Sequence, residues 1–239
     1  MKKLVVITGA SSGFGKALAE RFNQAGYPLL LIARRLEKLE AMQLENAICR
    51  KVDVTDYDAF EAAVREAEAI YGEADLLINN AGCMLLGDLA TQDRAEWQRM
   101  LDVNVMGVMN GMQVVMEKMK KAQHGTIINV SSVAGVNPYM DHAAYCATKY
   151  GVNGLSEVAR RELSPHNVRV MRVCPGAVKT ELLGHTTDEA IKEDYENWLE
   201  KTGVAITADD IAKTIQFAYE MPQTVTLREI QITDTKQVN

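Results

Sequence analysis

Short apolar runs that alternate with longer amphipathic stretches constrain the fold more than any other feature of this sequence. The strand candidates lie at 4–8, 29–33, 47–54, 75–80, 125–132, 168–174 and 224–232. Helix-like stretches lie between them, at about 14–25, 35–45, 56–71, 93–121, 143–164 and 207–220. Several strand candidates are continuously apolar, which is typical of strands that are buried on both faces. The alternation predicts an α/β fold with a doubly wound parallel β-sheet and helices on both faces.

Length and composition limit the classes of partner. The chain of 239 residues is long enough for one domain with a sizeable core, and its formal net charge of −6 argues against nucleic acid as the main partner. Its cysteines and histidines are scattered, without C-x-x-C pairs or other metal-ligand spacings. The first apolar run is too short for a signal-peptide core, and no apolar stretch approaches the roughly 20 residues of a membrane span. We therefore expect a cytoplasmic protein with free thiols, no bound metal and no membrane partner.

Residues 181–206 interrupt the alternating pattern with a polar, acidic insertion. It contains a short helical pattern, DEAIKEDYENWLEK, and falls between the sixth strand candidate and the next long helix. A long excursion at this point is often a lid over a site, although surface decoration would look the same in sequence. We expect a single domain over 1–239 with a lid at 181–206.

A glycine-rich loop follows the first strand candidate, in VVITGASSGFGKALAERF. Glycines between a strand and a helix permit a tight turn and let the backbone approach a pyrophosphate, which the helix N-terminus then binds. A nucleotide-triphosphate P-loop is excluded, because five residues separate Gly9 from Gly15 and Ala17 stands where magnesium needs Ser or Thr. A simple strand–helix turn without a ligand remains the alternative.

Two arginines end the second strand candidate, in LLLIARR. Folds that bind NAD usually place an acidic residue there for the ribose 2′-hydroxyl, whereas the forked charge of an arginine suits a 2′-phosphate. Arg34 and Arg35 therefore favour NADP(H) over NAD. For either arginine alone, a solvated helix start is the competing explanation.

Tyr145 and Lys149 lie four positions apart, one turn from each other on a helix. An exposed pair of this kind would contribute well under 1 kcal/mol. If the pair is buried against a ligand, the ammonium would instead favour loss of the phenol proton near neutral pH. The two readings predict opposite exposure for these side chains.

Six ordered motifs resemble the short-chain dehydrogenase/reductase family over essentially the whole chain. They are TGASSGFG (8–15), DLLINNAG (75–82), MLDVNVMG (100–107), INVSSVAG (128–135), YCATK (145–149) and CPGAVKTEL (174–182). The resemblance implies a Rossmann-type sheet of about seven strands and a homodimer or homotetramer paired through the helices at 93–121 and 143–164. The ARR segment and the tail MPQTVTLREIQITDTKQ further resemble a bacterial subgroup of NADP-dependent reductases related to 3-hydroxy acid and serine dehydrogenases.

By this resemblance the function is NADP(H)-dependent hydride transfer between nicotinamide and a small-molecule secondary alcohol or carbonyl. The implied catalytic residues are Asn104, Ser132, Tyr145 and Lys149, with Tyr145 as acid and base, Ser132 as hydrogen-bond donor to the substrate oxygen and Lys149 also on the nicotinamide ribose. The implied cofactor-binding residues are Gly9, Ser11, Ser12, Gly13, Phe14, Gly15, Arg34, Arg35, Asp53, Val54, Asn80, Ala81, Gly82, Tyr145, Lys149, Pro175, Gly176, Val178 and Thr180.

The substrate itself is not encoded in these motifs. Candidates to shape its pocket are Met84, Val133, Tyr139, Met140 and residues of 181–206, and Cys146, beside the tyrosine, is interpreted as a packing residue rather than a nucleophile. The alternative function is an NADPH-binding sensor or regulatory protein without significant turnover.

Overall fold

A seven-stranded, all-parallel sheet forms the centre of the computed structural model, which describes residues 2–238. Its strands are β1 (Leu4–Thr8), β2 (Leu29–Ala33), β3 (Ala47–Lys51), β4 (Ala74–Asn79), β5 (Thr126–Val130), β6 (Arg169–Pro175) and β7 (Glu229–Ile232). The spatial order is β3-β2-β1-β4-β5-β6-β7, so the chain reverses its direction of travel across the sheet between β1 and β4. The predicted doubly wound α/β fold is confirmed.

Helices cover both faces of the sheet because alternate strand residues point to opposite sides. The helices are α1 (Gly13–Gln24), α2 (Leu36–Glu40), α3 (Tyr57–Tyr71), α4 (Arg94–Leu101), α5 (Gly107–Ala122), α6 (Ala143–Leu163), α7 (Glu189–Thr202) and α8 (Ala208–Glu220). Leu4 and Val6 of β1 pack in one core with Phe60, whereas Val5 and Ile7 pack in the other. All these residues of β1 have 0% exposure, which explains their continuously apolar sequence.

Two predicted helices differ from the structure. The stretch at 93–121 is not one helix, because a π-helical turn over Asp102–Met106 separates α4 from α5. The stretch at 35–45 is helical only over Leu36–Glu40, because Gln43 and Asn46 adopt positive φ angles of 50° and 51° and cannot continue a right-handed helix.

Three strands are shorter than predicted, and one of them is β5, which covers Thr126–Val130 rather than 125–132. β3 stops at Lys51 rather than continuing to residue 54, and β7 begins at Glu229 rather than at residue 224. Only single backbone hydrogen bonds continue past these ends of β3 and β7, from the Val52 amide to the Ala33 carbonyl at 3.1 Å and from the Arg172 amide to the Arg228 carbonyl at 3.1 Å.

The insertion at 181–206 consists of a 3₁₀ turn (Glu181–His185) and α7. Leu182, Leu183, Ile191 and Tyr195 pack against a small apolar cluster that includes Tyr145. Thr186 connects the segment to the loop after β4 by two hydrogen bonds. Its hydroxyl accepts from the Leu86 amide at 3.3 Å and donates to the Met84 carbonyl at 3.4 Å. None of the helices within residues 2–238 is both long enough and apolar enough to cross a membrane.

Candidate active site

A large cleft opens at the carboxyl edge of the sheet, beside the loops that follow β1 and β4. Open α/β sheets bind ligands at this switch in strand order. The cleft has a volume of about 1120 Å³ and is lined by nineteen of the 21 residues that the sequence singles out for catalysis or cofactor binding. Gly15 and Asn104 are the two that do not line it.

The glycine loop forms one end of the cleft, and its glycines are required by close contacts. Gly9 has φ +66°, and a Cβ there would lie 2.8 Å from the Cα of Ala81. A Cβ on Gly15 would lie 2.2 Å from the Gly9 carbonyl oxygen, so Gly15 lets the first turn of α1 pack directly on the loop. The backbone of Asn80 and Ala81 is held beside this loop, because both amides donate to the Thr8 hydroxyl at 3.0 Å. The loops after β1 and β4 thus form one rigid floor.

The two arginines after β2 lie beside the glycine loop. The Arg35 guanidinium donates to the hydroxyls of Ser11 and Ser12 at 3.1 and 3.0 Å. Arg34 lines the cleft and makes no hydrogen bond or ion pair with the other described residues. The site therefore offers two guanidinium groups and two hydroxyls to an anion.

Tyr145 and Lys149 lie on the other side of the cleft, in the first turns of α6 after β5, because β1 and β4 separate β5 from β2 in the sheet. Their exposures are 5% and 6%, so the alternative of a surface pair is wrong. The Lys149 ammonium donates to the Val130 carbonyl at 3.1 Å and lies 5.6 Å from the centroid of the Tyr145 ring. The end of β5 presents Ser132 to the same part of the cleft, and its hydroxyl accepts from the Ala134 amide at 3.0 Å.

Burial controls the protonation of both groups. It raises the pKa of the Tyr145 phenol, and hydrogen bonding with Ser132 offsets this only in part. Burial also lowers the pKa of Lys149 from 10.5 to about 8. The net shift of the Tyr145 pKa is therefore upward, opposite to the lowering expected from the sequence, because the loss of water around the phenol dominates. The phenol is neutral near pH 7 and can act as a proton donor.

Asn104 lies behind the cleft, in the π-helical turn. Its side-chain oxygen accepts from the Cys83 amide at 2.8 Å, and its side-chain nitrogen donates to the Cys83 carbonyl at 2.9 Å and to the Thr148 hydroxyl at 3.1 Å. These contacts join the loop after β4 to α6, one residue before Lys149.

Aromatic side chains form a wall next to Tyr145. The ring of His142 lies 6.3 Å from that of Tyr145, 5.7 Å from Tyr139 and 6.0 Å from Tyr195, and Tyr195 lies 5.6 Å from Trp198. Burial lowers the pKa of His142, and its Nδ1 donates to the Met140 carbonyl at 2.6 Å. His142 was not predicted from the sequence; it is the residue directly before α6, three positions before Tyr145.

The other pocket candidates from the sequence also lie in the cleft. Met84, Val133, Tyr139 and Met140 line it together with several residues of 181–206. Cys146 is 7% exposed, in keeping with a packing residue, and the described chain contains no cluster of three or more His, Cys, Asp or Glu side chains that could hold a metal ion.

Residues 3–191 match the family model for short chain dehydrogenases. The chain therefore belongs to the short-chain dehydrogenase/reductase family, and it is an oxidoreductase that acts on alcohol or carbonyl groups.

Individual relatives are similar over nearly their whole length. An uncharacterized oxidoreductase of Staphylococcus saprophyticus is 38% identical, with 98% of this chain and 97% of the relative covered. A sulfoacetaldehyde reductase of Chromohalobacter salexigens is 36% identical over 99% of this chain and 96% of its own. A closed serine dehydrogenase complexed with NADP+ has a TM-score of 0.92 at 28% identity, covering 99% of this chain and 96% of its own.

Proposed function

We propose that the chain catalyses NADP(H)-dependent hydride transfer to or from a secondary alcohol or carbonyl group, with Tyr145 as the acid and base. One observation carries the proposal: a buried tyrosine–lysine pair and the Arg34–Arg35 anion site lie on opposite sides of one cleft with a glycine floor. This arrangement fits an elongated dinucleotide. Glycines at the floor leave room for its pyrophosphate, and the guanidinium groups fit a 2′-phosphate.

The protein's own side chains would transfer the proton and position the substrate. When bound, a reduced nicotinamide supplies the hydride. Tyr145 donates its proton to the substrate oxygen as that oxygen gains negative charge, and Ser132 donates a hydrogen bond that keeps the oxygen beside the phenol. Lys149 stabilises negative charge that develops on the phenol and, with a pKa of about 8, can itself exchange a proton near neutral pH.

The Tyr145 assignment is tested by Tyr145→Phe, with Tyr150→Phe as the matched control on the same helix. Tyr150 is 45% exposed and donates to the Val136 carbonyl outside the cleft. Turnover is followed by absorbance on 3-hydroxy acids, hydroxy ketones, diketones, sugars and steroids, as oxidation of NADPH with the carbonyl forms and as reduction of NADP+ with the alcohol forms. We expect Tyr145→Phe to lower kcat by about 10²- to 10⁴-fold with unchanged NADPH affinity, and Tyr150→Phe to leave both unchanged.

Equal rates for Tyr145→Phe and the wild type would refute the catalytic assignment. Tight NADPH binding without turnover on any substrate would instead favour the alternative of a sensor.

The cofactor assignment is tested by Arg34→Ala and Arg35→Ala. Loss of a charge-assisted hydrogen bond predicts weakening of NADPH binding by about 10- to 100-fold and of NADH binding by less than about threefold. Isothermal titration calorimetry measures both. Arg50→Ala is the control, because Arg50 pairs with Glu66 and does not line the cleft. Equal losses for NADPH and NADH would contradict the NADP(H) assignment.

We also propose that residues 181–206 form the substrate lid of a single-domain enzyme. Its support is the packing of Leu182, Leu183, Ile191 and Tyr195 on the cluster that contains Tyr145. A substrate in the cleft would lie between this segment and the aromatic wall.

A homo-oligomer is the third part of the proposal. Large apolar side chains are half exposed on the helices at 94–122 and 143–163, namely Leu101, Met106, Met109, Tyr150 and Val158. A second copy of the chain would cover them.

A further inference from the structure

One carboxylate lies in the anion site that the two arginines define. The Glu181 carboxylate accepts from the Arg35 guanidinium at 2.8 Å and from the Lys38 ammonium at 2.9 Å. The same guanidinium also donates to Ser11 and Ser12 of the glycine loop. Glu181 is thus bound to the cation that the proposed function assigns to a 2′-phosphate.

Glu181 is held in this place by the lid segment. It is the first residue of the 3₁₀ turn after β6, and the Thr180 hydroxyl caps that turn by accepting from the Leu182 amide at 3.3 Å. On the far side, Leu183 packs on the cluster that contains Tyr145, and Thr186 binds the loop after β4. The contact between Glu181 and Arg35 therefore joins the lid segment to the nucleotide end of the cleft.

Carboxylate and phosphate compete for the same donors. Both anions accept hydrogen bonds from a guanidinium fork, and one fork cannot direct the same N–H groups at two anions at once. A phosphate monoester carries about 1.5 to 2 negative charges near neutral pH, against one for a carboxylate. A phosphate can therefore displace Glu181, but part of its binding free energy is lost in doing so. A ribose hydroxyl needs no such displacement and can donate to the carboxylate where it lies.

We propose that Glu181 determines nucleotide specificity: its carboxylate competes with a 2′-phosphate for Arg35 and Lys38, and so weakens NADP(H) relative to NAD(H). This inference rests on the proposed assignment of the cleft to a nicotinamide dinucleotide. The three side chains are 42%, 43% and 52% exposed, so water screens the pairs and the effect is modest. Lys38 and Arg35 lower the pKa of Glu181 to about 2, and the competing charge is therefore constant throughout the neutral range.

The test is direct binding of two probes by calorimetry, adenosine 2′,5′-bisphosphate and 5′-AMP, which differ by the 2′-phosphate. Glu181→Gln keeps the shape of the side chain and removes its charge. Glu200→Gln is the matched control, because Glu200 belongs to the same segment and lines the cleft but makes no ion pair with other described residues. We expect Glu181→Gln to bind the bisphosphate about three- to tenfold more tightly and 5′-AMP within about twofold of the wild type. Glu200→Gln should leave both affinities within about twofold.

A double-mutant cycle locates the effect. The gain from Glu181→Gln should persist in an Arg34→Ala background, because Arg34 does not contact Glu181. It should fall in an Arg35→Ala background, because the guanidinium for which the anions compete is then absent.

Unchanged or weakened bisphosphate binding in Glu181→Gln would overturn the inference, and weakening would show that Glu181 positions Arg35 for the phosphate. Failure of the cofactor assignment gives a different result, since the wild type would then bind both probes equally. In that case, a preference for the bisphosphate that appears only in Glu181→Gln would support the competition, and its absence in both proteins would overturn it.

Discussion

Replacement of Lys149 by methionine should make the protein more stable near neutral pH. The ammonium is 6% exposed, and burial lowers the pKa of Lys149 from 10.5 to about 8. Below that pKa the folded protein must hold a charge that water would solvate better in the unfolded chain. Lys149→Met keeps most of the side-chain volume and removes this charge.

The magnitude follows from the linkage between proton binding and folding. A base whose folded pKa lies below its unfolded pKa binds fewer protons in the folded state between those two values, so wild-type stability rises with pH there. The difference between 10.5 and about 8 corresponds to about 3 kcal/mol of destabilisation at pH 7. Loss of the hydrogen bond to Val130 offsets about 1 kcal/mol, which leaves a net gain for Lys149→Met of about 2 kcal/mol.

Urea-induced unfolding of both proteins at about pH 7.5 and pH 9.5 measures this difference. The advantage of Lys149→Met should shrink by about 2 kcal/mol between those two conditions, because the wild-type lysine loses its proton in the folded state. Lys51→Met is the control: Lys51 is exposed on β3, so its replacement should change stability by less than about 0.5 kcal/mol at either pH. A difference between Lys149→Met and the wild type that is the same at both pH values would refute the assignment of the cost to a buried charge.

Two further substitutions test the floor of the cleft and a buried ion-pair cluster at the start of β4. Gly15→Ala would place a Cβ 2.2 Å from the Gly9 carbonyl oxygen, so calorimetry should show at least about a tenfold loss of NADPH affinity; full affinity would contradict the rigid floor. Glu68 is buried between Arg65, Lys118 and the Ala74 amide, and Glu68→Gln should cost about 2–4 kcal/mol in urea-induced unfolding at pH 7. These partners lower the pKa of Glu68, so its contribution is present above the ordinary value of 4.5 and is lost as pH falls through the lower folded value. The cost of Glu68→Gln should therefore shrink in strong acid, and an equal cost at every pH would count against the ion pairs.

Much of the fold could be predicted because its signals are local. β1 and β2 begin and end where the apolar runs do, since a parallel strand buried on both faces must be apolar throughout. The cleft could be predicted too. Parallel strands place their carboxyl ends at one edge, so the residues after β1, β2, β4, β5 and β6 converge there whatever the details of packing.

The remaining features depend on contacts between distant parts of the chain. The π-helical turn at Asp102–Met106 has the sequence pattern of a continuous helix, so the pattern does not reveal it. The Asn104 side chain in this turn is held by hydrogen bonds with the Cys83 amide and the Thr148 hydroxyl. The end of α2 depends on Gln43, which adopts a positive φ that glycine or asparagine would have signalled more clearly. The pairing of Glu181 with Arg35 joins residues that lie 146 positions apart in the sequence (181 − 35).

The pKa of Tyr145 also depends on contacts that form only in the folded chain. Its spacing from Lys149 is visible in the sequence, and that spacing alone predicts a lowered pKa. The net direction is set by burial, which depends on Tyr195, Cys83 and other groups packed around the phenol after folding.

The mass of the product formed with NADPH that carries deuterium at both C4 positions of the nicotinamide tests the central claim most directly. With a substrate found in the carbonyl panel, the account predicts one deuterium bound to the new carbinol carbon in the wild-type product and product formation at least about 100-fold slower with Tyr145→Phe. A reduced product without deuterium, or equal rates for the two proteins, would contradict it.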